Sequence, residues 1–284
     1  MNSSALLLIV SAFLHASWNA IAKTTKDKEA FLFGAMTVSN LLIALSFLFY
    51  KHDFTVGKPI GWALLSGVFE GVYFVTLAFA LKQSQLGKAY AVMRGGAMIF
   101  VWIISTLFFG ETASIWQGVG AAAVLGGIVI LSFPDVKKDQ KLESSKSANV
   151  PWAWVCAIFI GGYHLSYHQA LHHGAEPISL FAVAMLISWP FLWFAMKGKR
   201  RQRIQSIFRQ EWRKILSAGV SCNLSFVIFL YGLQVSVPGF AISLRNSSIF
   251  FAILFSFLLK ESLSRIQVCG ALVVGIGAFM LSYN

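Results

Sequence analysis

The sequence predicts an all-α integral membrane protein with ten transmembrane helices, arranged as two inverted repeats of five helices. Of the 284 residues, 57% are hydrophobic and only 12% are charged, whereas a soluble domain carries about 25% charged residues. The apolar residues form ten segments close to the roughly 20 residues that cross a bilayer. The chain also contains two similar halves. Because each half has an odd number of segments, the second half is predicted to enter the membrane in the opposite sense.

Short polar loops separate the ten apolar segments. The predicted segments are Ser4–Ala22, Ala30–Tyr50, Ile60–Leu81, Leu86–Gly110, Ser114–Phe133, Pro151–His172, Ile178–Met196, Ile215–Leu233, Val237–Leu259 and Ser264–Ser282. One longer interval, 134–150, has the sequence PDVKKDQKLESSKSANV. Its charged, Ser-rich composition is typical of a linker. We therefore expect residues 1–133 to form the first repeat and residues 151–284 the second.

The two halves correspond in several places. FGETASIWQGVG of the first half matches LKESLSRIQVCG of the second, and HASWN from His15 matches HLSYH from His164. Each half also carries one arginine inside an apolar segment, Arg94 in AYAVMRGGAMIF and Arg245 in AISLRNSSIFF. These matches indicate a duplicated unit with one membrane-embedded cation in each copy.

The formal charge of +12 does not indicate a nucleic-acid partner, because the basic residues fall in short gaps between apolar segments. Of the 23 Lys and Arg residues, 19 lie in or beside loops that follow odd-numbered segments. Only Lys51 and Lys58 follow even-numbered segments. The positive-inside rule therefore predicts cytoplasmic odd loops and places both termini outside, on the periplasmic face of a bacterial inner membrane.

The most basic loop, 197–214, has the sequence KGKRRQRIQSIFRQEWRK, with apolar residues at helical spacing. This pattern predicts a short amphipathic helix on the anionic lipids of the cytoplasmic leaflet. A solvated loop that only fixes the topology is an equal alternative. The three cysteines, Cys156, Cys222 and Cys269, lie in apolar segments, so we expect packing thiols rather than disulfides.

Arg94 and Arg245 are the first candidates for a binding site. Each lies about eight residues into its segment, or about 12 Å at 1.5 Å per residue, close to the middle of the bilayer. A guanidinium there is costly unless it finds a partner, and its planar fork suits carboxylate, phosphate or phosphonate. The alternative is a structural arginine bonded to free carbonyls or to an acid.

Glu70 is the one acid in the middle of a predicted segment, in GVFEGVYF. Three interpretations are open: an ion pair with Arg94, a coupling proton, or a partner for an amine on the substrate. In the matching region, GVSCNLSF, Cys222 and Asn223 take its place.

Histidines and aromatic residues complete the predicted cavity. His164, His168 and His172 recur at intervals of four on one face of the sixth segment, which suits a proton path or a polar cavity. A metal site is the weaker interpretation, because no acid or thiol lies close in sequence to complete it. The remaining cavity candidates are His15, Trp18, Asn19, Tyr73, Tyr90, Tyr163, Tyr167 and Asn246.

The repeat pattern resembles the EamA-type members of the drug/metabolite transporter superfamily over almost the whole chain. The resemblance implies helices one to four and six to nine around a central cavity, helices five and ten outside it, alternating access, and commonly export. HASWNAIAK and AYAVMRGG are also similar to a subgroup of permeases associated with phosphonate utilisation. Many family members have a proline in the region that Arg94-Gly-Gly and Arg245-Asn-Ser-Ser occupy here, so the resemblance does not extend to a drug or neutral amino acid as the substrate.

These observations predict a secondary active transporter of a small anionic or zwitterionic metabolite, not an enzyme, with no cofactor. One chain suffices for the cavity, and a dimer is compatible with the sequence. The alternatives are a flippase or exporter of a lipid-linked anion and, more weakly, a membrane protein that binds a metal through histidines.

Overall fold

The computed structural model describes residues 3–52, 57–108, 114–132, 151–235, 238–261 and 263–281. Within these ranges every regular element is a helix, as the sequence predicts. The helices are α1 (Ser3–Thr24), α2 (Lys28–Phe49), α3 (Lys58–Gln83), α4 (Leu86–Phe108), α5 (Ile115–Ser132), α6 (Pro151–His172), α7 (Pro177–Ala195), α8 (Arg200–Val235), α9 (Pro238–Asn246), α10 (Ser248–Leu258) and α11 (Arg265–Leu281). The predicted linker, 134–150, lies outside the described residues.

Among the described residues, six helices are long and apolar enough to cross a membrane, and three shorter ones are also apolar. The six spans are Ala5–Thr24, Lys28–Phe49, Lys58–Gln83, Leu86–Phe108, Pro177–Ala195 and Arg200–Val235. Helix α6 has sufficient length, with 22 residues, but is not among them. Large apolar side chains on the spans are exposed, for example Leu48 and Phe194, as lipid-facing residues are. The protein is therefore an all-helical membrane protein.

The structure divides the predicted ninth segment into α9 and α10. Helix α9 ends at Asn246 and α10 begins at Ser248. Between them, the N–H and Oγ of Ser247 both donate to the carbonyl of Leu244, at 3.1 and 2.6 Å. A serine side chain that bonds the backbone in this way competes with regular helical hydrogen bonds. The break therefore follows directly after Arg245.

Helix α8 joins the amphipathic stretch of the basic loop to the predicted eighth segment, with non-helical backbone angles at Glu211. The apolar side of the first part packs in part on the protein. Ile207 is buried, and Phe208 packs closely against Gly34 of α2. Trp212 remains 54% exposed. Part of the amphipathic pattern is thus explained by packing on the protein, and contact of this stretch with anionic lipids stays a prediction.

Glycines allow close helix crossings between the two halves. A Cβ at Gly67 of α3 would lie 2.9 Å from the carbonyl oxygen of Ala184 in α7, and a Cβ at Gly219 of α8 would lie 2.7 Å from that of Ala35 in α2. Helices α5 and α11 pack on each other in the same manner, with Gly120 against Gly277. Such crossings bring helix backbones into direct contact, as small residues do in membranes.

Ion pairs fasten the start of α8 to the turn between α1 and α2. The Nε of Arg203 donates to Oδ2 of Asp27 at 2.7 Å, and its Nη2 donates to Oδ1 of Asp27 at 2.6 Å and to Glu29 at 2.9 Å. Lys82 of α3 bonds the same Glu29. Burial raises the pKa of Asp27, but the hydrogen bonds from Arg203 and from the Ala30 N–H outweigh it and hold that pKa below its ordinary value of 3.8.

Replacing Gly127 by alanine tests the α5–α11 contact. Its Cβ would lie 2.8 Å from the carbonyl oxygen of Gly270, whereas a Cβ at the neighbouring Gly126 meets nothing within 4 Å. We expect Gly127→Ala to destabilise the protein by about 1–3 kcal/mol and Gly126→Ala to leave it unchanged or slightly stabilised. Thermal unfolding of the detergent-purified variants measures this. Equal melting temperatures would contradict the packing described.

Replacing Arg203 by glutamine tests the ion pairs at the α1–α2 turn. Because the folded-state pKa of Asp27 is lowered, the pair stabilises the protein above the unfolded pKa and is lost as the pH falls through the folded one. We expect Arg203→Gln to cost about 1 kcal/mol at neutral pH, and the difference from the parent to shrink below about pH 4. Melting curves from neutral to acidic pH measure it. A difference independent of pH would contradict the role of the carboxylates.

Candidate functional site

Twelve of the thirteen predicted site residues meet in one enclosed cluster. They come from α1, α3, α4, α6 and α9, and each is at most 2% exposed. The members are His15, Trp18, Asn19, Glu70, Tyr73, Tyr90, Arg94, Tyr163, His164, Tyr167, Arg245 and Asn246. The thirteenth, His168, is half-buried and contacts His172 with ring centroids 6.3 Å apart. The histidine row of α6 therefore runs from the cluster to the exposed His172.

Aromatic rings hold the cluster together. Tyr163 is its centre, with ring centroids 5.4 Å from Tyr73, 4.6 Å from His164 and 5.6 Å from Tyr167. Phe226 of α8 joins this group to α1, since its ring lies 6.0 Å from Tyr163 and 5.5 Å from His15. These distances are typical of packed aromatic pairs. The packed rings surround the charged groups with apolar surface.

Arg245 is held by the protein itself. Its Nη1 donates to Oγ of Ser11 at 2.9 Å and to the carbonyl of Ser225 at 3.1 Å. Its Nη2 lies 3.1 Å from Nδ1 of His15, which accepts the bond when the imidazole is neutral. Only Nε lacks a partner among the described residues. Arg245 therefore resembles the structural alternative that the sequence left open.

Two phenylalanines of α8 add to this arrangement. The Cζ of Arg245 lies 4.0 Å from the ring centroid of Phe229 and 4.8 Å from that of Phe226. A guanidinium over an aromatic face gains further from the ring quadrupole. With three polar partners and two rings, Arg245 joins α1, α8 and α9 at the centre of the molecule.

Arg94 has a different environment. It is 1% exposed, yet its Nη1 and Nη2 have no hydrogen-bond partner in the described part of the chain. Its Cζ lies 5.7 Å from the ring centroid of Tyr90, whose hydroxyl is also unpartnered there. Both ring nitrogens of His164 also lack a hydrogen-bond partner in the described part of the chain. Because buried polar groups are nearly always hydrogen-bonded, these atoms form a set that needs a polar ligand or water.

The difference between the two arginines has a cause in the sequence. Ser11, which binds Arg245, stands four residues before His15. Four residues before the matching His164 stands Ile160, which has no hydroxyl. The second copy of the partner set is therefore incomplete, and Arg94 and His164 are left unpaired. The two arginines, which the sequence offers together as candidates for a binding site, are therefore not equivalent in this geometry.

Glu70 accepts a hydrogen bond of 2.7 Å at Oε2 from the hydroxyl of Tyr167, and its Oε1 has no partner in the described chain. The ion pairs among the described residues do not join Glu70 to Arg94. The interpretation of Glu70 as the ion-pair partner of Arg94 is therefore wrong. A tyrosine on α6 fixes the carboxylate instead.

Further buried polar atoms of the cluster residues are unpartnered in the described chain. Among the described residues they include Nε1 of Trp18, Oδ1 of Asn19, the hydroxyl of Tyr163 and Nδ2 of Asn246. The amide of Asn19 bonds the carbonyl of its own helix at His15, so one side of that residue remains available. No group of three His, Cys, Asp or Glu side chains suitable for a metal occurs within the described residues.

Sequence reasoning missed the partners of Arg245. Ser11 and Ser225 are ordinary small residues in apolar segments, and Phe226 and Phe229 look like packing residues. Their role depends on which helices meet, which no local pattern shows. The one signal in the sequence was a difference between the two halves, because Ser11 of the first half aligns with Ile160 of the second.

Comparison with known proteins agrees with this architecture. The quaternary ammonium compound-resistance protein QacF of Klebsiella aerogenes is 31% identical over 101 residues, 36% of this chain and 89% of that protein. The multidrug resistance protein EbrB of Bacillus atrophaeus is 30% identical over 104 residues, 37% of this chain and 86% of that protein. One solved crystal structure shares the fold, with a TM-score of 0.63 at 12% identity, over 98% of this chain and 96% of that one.

The model of the EamA-like transporter family matches residues 2–133 and 148–283. Together the two stretches cover nearly the whole chain. The chain therefore belongs to the EamA-like transporter family and is a multi-pass membrane transporter of the inner membrane rather than an enzyme.

Proposed function

We propose that the protein is a secondary active transporter that works by alternating access and carries a small anionic or zwitterionic metabolite. The observation that carries this proposal is the guanidinium of Arg94, buried at the centre with Nη1 and Nη2 unpartnered among the described residues. Phosphonates are included among the candidate anions because of the resemblance of the first segment and of the Arg94 region.

The chemistry around Arg94 suits an oxyanion. A guanidinium offers two parallel N–H donors that match the oxygens of carboxylate, phosphate or phosphonate. The neighbouring hydroxyls of Tyr90 and Tyr163 and the ring of His164 supply further donors to the same ligand. An unpaired buried charge costs several kcal/mol, so a bound anion would relieve a cost that the empty site bears.

The charges of the cluster residues also favour an anionic ligand. The cluster contains two guanidinium groups that repel each other, and Glu70 is the one carboxylate among the predicted site residues. Even with Glu70 ionised, the site carries an excess positive charge. A ligand with one negative group neutralises that excess, and a zwitterion also places its ammonium near the free oxygen of Glu70 and the faces of Tyr163 and Tyr167.

Two inverted five-helix repeats, ten transmembrane helices in total, provide the architecture of the proposal. The reciprocal glycine crossings support them, since Gly67 meets Ala184 while Gly219 meets Ala35, and Ala35 and Ala184 occupy matching places in the halves. The break after Arg245 also supports them, because interrupted helices often form the substrate site of inverted-repeat transporters. The matching of the family model to two separate stretches fits the same duplication.

A second candidate substrate is an organic ammonium cation. Its support is the Glu70 carboxylate, with one oxygen free of protein partners in the described chain, beside the Tyr167 ring. The names of the two relatives, which mention quaternary ammonium compounds and multidrug resistance, point to similar ligands for those proteins. The two guanidinium groups oppose a purely cationic ligand, so the anionic or zwitterionic class is the stronger conclusion.

Replacing Arg94 tests the anion site. Hydrogen bonds to a charged group contribute about 1.5–3 kcal/mol, so we expect Arg94→Gln to weaken binding of methylphosphonate or a carboxylate by about tenfold to a hundredfold. Its melting temperature without ligand should fall less than that of Arg245→Gln, because the described contact that is lost is the one with the Tyr90 ring. Thermal-shift titration of purified protein measures both quantities, with tetramethylammonium as the cationic comparison.

Arg245→Gln is the matched control. This change removes three polar contacts and two ring contacts, so it should lower the melting temperature without ligand. The proposal is wrong if Arg94→Gln binds every anion as the parent does, or if tetramethylammonium alone stabilises both proteins.

Replacing Glu70 by glutamine tests proton coupling. If Glu70 carries the coupled proton, uptake into proteoliposomes by the Gln variant should no longer respond to an imposed pH gradient, because an amide cannot ionise. Tyr167→Phe is the control, since it removes the hydroxyl but keeps the carboxylate and should retain the response. A gradient that drives Glu70→Gln as well as the parent would exclude the coupling role and leave the amine interpretation.

A further inference from the structure

Two acidic residues cap helices at opposite ends of the described fold. Asp27 caps α2 and accepts a bond of 3.2 Å from the N–H of Ala30. Glu176 caps α7 and accepts one of 2.7 Å from the N–H of Ser179. Each acid also contacts a basic side chain near the start of the helix packed beside it.

The partner at the first place is Arg203, at the start of α8, with the two hydrogen bonds to Asp27 described above. The partner at the second place is His52, just before α3, whose Nδ1 lies 3.6 Å from Oε2 of Glu176. The hydroxyl of Tyr231 donates to the other oxygen of Glu176 at 3.3 Å. Both contacts thus join a short turn of one half to the other half of the chain.

The two acidic residues are equivalent under the duplication. Glu176 follows Asp27 by the same interval that separates His164 from His15, and Ser179 follows Ala30 by that interval too. The helices obey the same relation, since α8 packs on α2 and α3 packs on α7. The two acids therefore occupy equivalent positions in the two halves, although their basic partners do not stand at the same interval.

We propose that the Asp27–Arg203 and Glu176–His52 contacts are gates, which close the transport path at its two ends, here called the two mouths. We also propose that acidic pH strengthens the second gate. The inference rests on the alternating access of the proposed function. In the structure both contacts are made and the central cluster is buried, as in a state closed at both ends. Opening either mouth requires one contact to part while the other holds.

The two gates differ in chemistry. A guanidinium stays charged at all relevant pH values, and Arg203 is reinforced by Glu29. An imidazole is a cation only when it is protonated, so the contact between His52 and Glu176 is an ion pair only with His52 protonated. The other described groups that contact His52 are the rings of Phe47 and Tyr50. Tyr231 contacts its partner, Glu176. Lys51 precedes His52 in the chain, and Asp53 lies outside the described residues.

Cysteine labelling tests the proposal without any substrate. Ser179 lies in a small hollow between the starts of α3 and α7, and Ala30 is the equivalent position at the other mouth; both are buried. In detergent-purified protein with Cys156, Cys222 and Cys269 replaced by alanine, Ser179→Cys and Ala30→Cys are labelled with a maleimide. Each is measured with His52 and with His52→Gln, at about pH 5.5 and about pH 8.

At about pH 5.5 we expect His52→Gln to raise labelling at position 179 about threefold, the size of one partly exposed ion pair, and to lower labelling at position 30. At about pH 8 the two proteins should be labelled alike. Comparison at one pH removes the effect of pH on the thiols themselves. Equal labelling at acidic pH overturns the proposal. An increase at position 179 without the decrease at position 30 also overturns it, because it shows local loosening only.

Since no ligand is used, failure of this test is distinct from failure of the proposed anion transport. The Arg94→Gln titration tests the anion proposal. The reciprocal change in labelling at the two cysteines tests the gate proposal.

Discussion

The rest of the structure depends on how two buried guanidinium groups are accommodated in an apolar helical protein. An arginine near the middle of a membrane is costly unless its N–H groups find acceptors. Arg245 finds them in Ser11, Ser225 and His15, and lies over the rings of Phe229 and Phe226. Arg94 has no such set among the described residues. The two arginines thus have different environments. Arg245 is bonded within the protein, whereas Nη1 and Nη2 of Arg94 lack partners among the described residues.

A difference between the two halves of the sequence accounts for this division. Each half has one arginine in an apolar segment and a histidine at the matching place, but the partner hydroxyl at Ser11 has no equivalent at Ile160. A symmetrical pair of satisfied arginines would give a rigid core with nothing left for a ligand. A symmetrical pair of unsatisfied ones would be very costly. With one of each, Arg245 stabilises the crossing of α1, α8 and α9, and Arg94 retains two donors, which we propose bind an anion.

Much of this was visible in the sequence, and the remainder has identifiable reasons. The apolar pattern predicted α6 with the bounds found, Pro151–His172, and twelve of thirteen candidate residues meet in the cluster. The break at Ser247 was not predicted, because it depends on one side chain bonding its own backbone within an otherwise apolar run. The bond between Tyr167 and Glu70 joins residues 97 positions apart, and only the packing of α3 on α6 determines it. Residues that act by contact between distant helices have no local pattern.

The central claim is that Arg94 holds the anionic group of the substrate while Arg245 holds the protein together. An experimental structure of the protein with methylphosphonate bound tests it most directly. The account predicts phosphonate oxygens within hydrogen-bond distance of Nη1 and Nη2 of Arg94, with the bonds from Arg245 to Ser11 and Ser225 unchanged. A phosphonate bound to Arg245 in place of those two partners, with Arg94 still free of it, would contradict the account.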